Sequence, residues 1–232
     1  MQDFIDQLRL EREDLHDDIN GMEFLEENLR VGDFGCEYGY TTLSLALELN
    51  AYECIGIDKF EHDNNSPYVP TLEEVNRIFD NLKGYTLAGE NAENQDCLFQ
   101  DVRSICAEGR LPIFQKGNLI TGINLPTNLD FVYCKQVLYN LYEGGYNNPK
   151  GLDGIKASIK NIMNSVKRSG QVCIVEPVCS IDFRGIINQV GLKLVRQRLI
   201  FRNDIVRNDN GLISRATSHK SKYFIYYCIK RL

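Results

Sequence analysis

The segment Arg30–Tyr40, RVGDFGCEYGY, holds the residues best placed for chemistry. An apolar strand pattern runs into glycines at 32, 35 and 39, and then into Thr41–Leu49, TTLSLALEL, dense in good helix formers. Such a strand–turn–helix brings free backbone N–H groups and a helix N-terminus up to a ligand. At the carboxyl end of a parallel strand, that ligand is nucleotide-like. The glycine spacing departs from G-x-G-x-x-G, which disfavours a nicotinamide dinucleotide. Asp58 closes the next strand pattern, Glu53–Ile57, as a ligand-binding acid or as an ordinary cap. Asp33, inside the first strand, either serves the ligand or holds the turn through backbone N–H groups. Asn118, after a third strand pattern at Ile113–Lys116, is a turn residue as readily as a ligand contact.

Other chemistries have weaker support. The eight cysteines form no C-x-x-C, and His16, His62 and His219 lie far apart, so neither a zinc site nor a disulfide scaffold is expected. No metal ligand is assigned. Cys54, Cys134, Cys173 and Cys228 fall in strand patterns and read as core thiols. Net charge is −6, which disfavours coating of nucleic acid by bulk electrostatics. The charge is uneven: residues 1–150 carry 11 Lys and Arg against 27 Asp and Glu, and residues 151–232 carry 15 against 5. No apolar run approaches the roughly 20 residues of a membrane span, and the N-terminal segment is acidic. A cytoplasmic protein is expected.

The elements that must position these residues alternate. The first 28 residues form a helical segment, with Phe4, Leu8, Leu15 and Ile19 on one face, a break at Gly21, and a short second helix over Glu23–Glu27. Strands follow at Leu29–Phe34, Glu53–Ile57, Ile113–Lys116, Leu129–Cys134, Gln171–Val175, Leu192–Phe201 and Tyr223–Ile229. Helices are expected at Lys156–Lys167, stopped by Gly170, and at Phe183–Val190, capped by Gly191. Several strands are apolar on both faces, which indicates a parallel sheet covered by helices on both sides. The last two strands lack a helix-sized segment between them and pair as an antiparallel hairpin. Residues 59–95 exceed an ordinary crossover and read as an insertion. Its helix starts at the capping box Thr71–Glu74, presents Leu72, Val75, Phe79 and Leu82, and ends at Gly84. A second helix over Asp96–Ala107 supplies the crossover. One α/β domain spans residues 1–232, with 59–95 as a candidate lid.

Val31–Gly39, VGDFGCEYG, resembles the first motif of class I S-adenosylmethionine-dependent methyltransferases, with later segments falling in the family's order up to about Ile229. The resemblance implies a Rossmann-like, seven-stranded, mostly parallel sheet with an antiparallel last strand, and S-adenosyl-L-methionine as cofactor. It implies cofactor contacts from Asp33, Gly35, Cys36, Glu37, Gly39, Lys59, Leu119, Cys134 and Lys135, with Asp58 on the ribose hydroxyls and Asn118 facing the adenine amine. Glu37 replaces the motif's middle glycine, and adds a carboxylate that can pair with the methionine ammonium or point to solvent. Asn118 stands where the family often has Asp, and its side-chain oxygen can still accept from the adenine amine.

Methyl transfer from a sulfonium is an in-line displacement that asks mainly for positioning and exclusion of water. No catalytic base stands out. The stretch after the fourth strand lacks the Asn/Asp-Pro-Pro-Tyr/Phe sequence of enzymes that methylate base or glutamine amines. The expected activity is therefore methylation of a small-molecule acceptor. Acceptor contacts are expected from His62 and Tyr68 in the insertion, and from Tyr139, Tyr142 and Tyr146 near the Gly144–Gly145 hinge. Two alternatives remain: an RNA methyltransferase using the basic C-terminal half, with nucleic acid the lesser partner, and a non-catalytic S-adenosylmethionine-binding module.

Overall fold

A computed structural model describes residues 2–22, 24, 27–60, 70–88, 97–143, 151–179, 181–203, 205–207, 213–215 and 221–230. Seven strands form the main sheet: β1 (Arg30–Phe34), β2 (Glu53–Asp58), β3 (Ile113–Lys116), β4 (Leu129–Lys135), β5 (Val166–Pro177), β6 (Lys193–Asn203) and, last in the chain, β9 (Ser221–Lys230). Their order is β3-β2-β1-β4-β5-β9-β6, with β1 to β5 paired in parallel and β9 antiparallel to both β5 and β6. Strand order reverses between β1 and β4, and parallel sheets of this kind bind ligands outside the carboxyl ends beside such a reversal. Two short strands, β7 (Ile205–Arg207) and β8 (Ile213–Arg215), pair with each other within the connection from β6 to β9.

The period-two pattern of the central strands explains the layers. On β4 and β5, Val132, Cys134, Val172 and Ile174 join one buried cluster, while Phe131, Tyr133, Cys173 and Val175 join another. The first cluster is completed by α6 (Gly151–Ser165) through Ile155, Ile159, Ile162 and Met163, and by α7 (Phe183–Gln189) through Ile186 and Ile187. The second is completed by α2 (Tyr40–Glu48) and by α1 (Gln2–Ile19), which contributes Leu15 and Ile19. Burying residues of this kind stabilises by about 1.5–3 kcal/mol each. Helix α1 is further tied down by ion pairs from Arg12 to Glu48 and to Asp101, and the Tyr133 hydroxyl donates to its buried Asp18.

Between β2 and β3 run α3 (Leu72–Ala88) and α4 (Cys97–Ala107). The capping box forms as read: Glu74 accepts from the Thr71 N–H at 2.8 Å, and the Thr71 hydroxyl accepts from the Glu74 N–H at 3.2 Å. Val75, Phe79 and Leu82 lie in a third buried cluster with Leu8, Leu43, Phe99, Val102 and Phe114, so α3 is packed against the body of the domain. Residues 61–69 and 89–95 of the insertion lie outside the described residues.

Three boundaries differ from expectation. Gly84 does not end α3, because an exposed glycine inside a helix costs only about 1 kcal/mol and the buried Thr86 hydroxyl bonds back to the Leu82 carbonyl. Helix α6 ends at Ser165, and Val166 pairs with Leu129 as the start of β5, leaving Gly170 inside that strand at a register shift. In the segment expected as a short second helix, Phe24 and Glu27 are non-helical, while Glu23, Leu25 and Glu26 lie outside the described residues. No described helix is long and apolar enough to cross a membrane.

Candidate functional site

The turn after β1 approaches its neighbours closely. Gly35 has φ 88°, and a Cβ there would lie 2.1 Å from Val137 Cγ2. Gly39, which opens α2, has φ 81°, and a Cβ there would lie 2.5 Å from the Phe114 ring. Glycine alone fits both positions. Among the described residues, three that are neither glycine nor asparagine also adopt left-handed backbone: Glu37 (φ 45°), Phe60 (φ 45°) and Gln136 (φ 58°). Each follows the carboxyl end of a central strand, β1, β2 or β4 in turn. Strain of this kind persists only where surrounding contacts enforce it, and it clusters at functional sites.

Asp58 supplies one such enforcement. Its Oδ2 accepts from the Glu37 N–H at 3.0 Å and its Oδ1 from the Lys59 N–H at 2.6 Å. Burial raises its pKa, while these N–H groups and the Lys59 charge oppose the rise. Asp33, 2% exposed, accepts from the Thr42 hydroxyl at 2.7 Å, and burial pushes it up to about 7. It ties β1 to α2 beneath the turn. Glu37 is exposed by surface area, yet desolvation by the protein around its carboxyl, and then the Asp58 and Glu11 charges, bring it up to about 6. Burial drives the Cys36 thiol well above its usual range, so it serves packing.

A hollow of about 240 Å³ opens at these strand ends, lined by Gly35, Asp58, Lys59, Asn118, Leu119 and Val137 among others. On the other side of the turn a second hollow, about 320 Å³, lies against α1 between Gln7, Glu11, Glu37, Tyr38 and Tyr40. The structure thus brings Gly35, Asp58, Lys59, Asn118 and Leu119 together at the first hollow, and Cys36 and Glu37 at the second.

The side chains of the other expected contacts, and of Asn118, are engaged as follows. Cys134 is fully buried in the core. The Lys135 ammonium pairs with Glu11 at 3.2 Å and Asp14 at 3.4 Å, because α1 crosses the end of β4 and sets acids there. Asn118 spends its side-chain oxygen on the N–H groups of Ile120 and Thr121, at 2.9 and 3.0 Å, closing a local turn. Tyr139 is half-buried at the start of α5 (Leu138–Glu143), and Tyr142 lies on the same helix. His62, Tyr68 and Tyr146 lie outside the described residues.

Two residues that shape the first hollow were missed in the sequence. Glu176, fully buried at the end of β5, accepts from the N–H groups of Val137, Leu138 and Tyr139 at 3.1, 2.9 and 3.1 Å. Burial carries it up to about 8 while the three N–H groups oppose the rise. Asn161, on α6, donates to the carbonyls of Leu119 and Ile120 at 2.8 and 3.1 Å. A charged residue closing the apolar run QVCIVEP is a signal for the first; nothing in the α6 pattern marks the second.

No family model matches the chain, and no curated protein matches it. Solved structures do. The magnesium protoporphyrin IX methyltransferase ChlM of Synechocystis PCC 6803, determined with bound SAH, matches at TM-score 0.51 and 15% identity over 99% of this chain and 84% of its own. YcgJ of Bacillus subtilis matches at TM-score 0.51 and 14% identity, over 97% and 98% respectively. The mitomycin 7-O-methyltransferase MmcR matches at TM-score 0.52 and 10% identity, over 99% of this chain and 54% of its own. Sheet order, strand-end turn and these likenesses agree: the chain has the class I S-adenosylmethionine-dependent methyltransferase fold.

Proposed function

We propose that this protein is an S-adenosylmethionine-dependent methyltransferase acting on a small-molecule acceptor. The observation that carries the reading is the hollow between Gly35, Asp58 and Leu119, at the carboxyl ends where strand order reverses. Its volume falls below the roughly 300–1,000 Å³ of pockets that bury a drug-sized ligand, which suits the nucleoside portion of the cofactor. Asp58 oxygens keep lone pairs beyond those given to Glu37 and Lys59, and these accept the ribose hydroxyls. Leu119, Ile120, Val137 and Leu141 flank the adenine. The amino-acid end passes the turn at Gly35–Glu37, where the Glu37 carboxylate faces the ammonium.

When bound, the cofactor supplies a methyl group already activated on a sulfonium. The chain's own residues orient the acceptor for in-line attack and keep water out. Tyr139, Tyr142 and Tyr146, with His62 and Tyr68, are the proposed acceptor contacts. The whole chain acts as one domain, in which α1 closes the acidic side of the site through Lys135. Methyl-labelled S-adenosylmethionine offered with a pool of small metabolites tests the activity. Label should pass to an acceptor with equimolar S-adenosylhomocysteine released; tight binding of the donor without release against any acceptor would point to a binding module.

A further inference from the structure

Within this reading of the site, the first hollow has two walls, each held from behind by one side chain that does not line it. The Leu119–Ile120 wall hangs on Asn161 Nδ2, which donates to both carbonyls. Gly122, in the same loop, lies against the Asn161 amide, where a Cβ would come within 3.1 Å of it. The Val137–Leu141 wall hangs on Glu176, whose two oxygens take the first three N–H groups of the segment entering α5. That segment presses Val137 on Gly35, so the wall's position also sets how closely the turn is approached.

We infer that Asn161 and Glu176 are positioning residues that set the width of the nucleoside slot, and so the protein's affinity for the adenosine part of its ligand. The chemistry of each contact is directional. Asn161 meets two acceptors and must donate; Glu176 meets three donors and must accept. An isosteric exchange therefore inverts part of each contact while preserving volume. Asn161→Asp sets a carboxylate oxygen against two carbonyl oxygens. Glu176→Gln sets an amide N–H group against a backbone N–H group, or leaves one of the three unbonded. Leaving a buried donor without its acceptor is costly even where shape is unchanged.

The test uses the full chain and 5′-methylthioadenosine, which carries the adenosine part without the amino acid. Dissociation constants are measured by calorimetry well below each variant's melting temperature, with the far-ultraviolet spectrum recorded alongside. Global stability does not enter the affinity of a protein that is folded, so a merely structural role would lower the melting temperature and leave the constant alone. Asn161→Asp and Glu176→Gln are each expected to weaken binding about tenfold, while Asn161→Ala, which drops the donor without setting a carboxylate against the carbonyls, loses less. Folded variants that bind like the wild type would overturn the inference. If Glu176→Gln does not fold, the Asn161 pair decides it alone. Failure of the wild type to bind 5′-methylthioadenosine, S-adenosylmethionine and S-adenosylhomocysteine would instead overturn the underlying reading of the site.

Discussion

The Asp58 carboxylate stands 3.0 Å from the backbone N–H of Glu37, joining the end of β2 to the strained turn that follows β1. Glu37 holds φ 45° at that turn, a conformation costly for a residue with a side chain. The acid that the reading assigns to the ribose thus also pins the turn that receives the rest of the cofactor. One residue couples two parts of the site.

Replacing Asp58 should therefore lose more than one contact. Asp58→Ala is expected to weaken S-adenosylhomocysteine binding by about 1.5–3 kcal/mol, the worth of hydrogen bonds to a charged group. Calorimetry measures it, and an unchanged dissociation constant would leave Asp58 as a turn-holding residue only.

Asp33 carries a stability prediction with a definite sign. Burial raises its folded pKa from 3.8 to about 7, so between those values the folded protein binds a proton that the unfolded chain does not. Its contribution to stability falls as pH rises from about 4 to 7. Asp33→Asn removes the buried charge and keeps an acceptor for the Thr42 hydroxyl. It should stabilise by about 1–4 kcal/mol at pH 8 and scarcely at all at pH 4. Thermal melts at the two pH values read the difference, and equal effects at both would contradict the account.

Charge around the turn should favour donor over product. Glu37 lies within electrostatic reach of the Asp58 and Glu11 carboxylates and of one lysine, Lys135, and methyl transfer removes the sulfonium charge. S-adenosylmethionine should bind more tightly than S-adenosylhomocysteine at pH 7.5. The ratio should shrink below pH 6, as Glu37 takes up its proton, and in Glu37→Gln. A ratio independent of pH and of this substitution would show that Glu37 faces solvent.

Helix α3 should behave as core. Phe79 packs on Phe114 with ring centroids 4.6 Å apart and is 5% exposed. Phe79→Ala should destabilise by about 3–5 kcal/mol in denaturant unfolding. A loss below 1 kcal/mol would show that this face of α3 is not part of the core.

How much of this was legible in the sequence depends on the kind of signal. The antiparallel pairing of β9 with β6 follows from the absence of helical periodicity over Asn203–Lys222; its seat beside β5 was implied only by the family resemblance, and the small β7–β8 pair left no pattern of its own. The places of Asp58 and Gly35 at strand ends were readable from the strand patterns they close. Asn118 was readable only as a choice, and local turn bonding took its oxygen. The acid partners of Lys135 were not readable, because nothing local tells a lysine at the end of β4 that α1, more than a hundred residues earlier, lays Glu11 and Asp14 beside it. Glu176 and Asn161 escaped for the same reason: their partners are backbone groups brought close only by the sheet and its helices.

The central claim is that the hollow between Gly35, Asp58 and Leu119 receives the adenosine end of S-adenosylmethionine. Calorimetric titration of the wild-type chain with S-adenosylmethionine, S-adenosylhomocysteine and NAD tests it most directly. The account predicts one-to-one binding of the first two at micromolar concentrations and none of NAD. Binding of NAD, with neither sulfur compound bound, would contradict it.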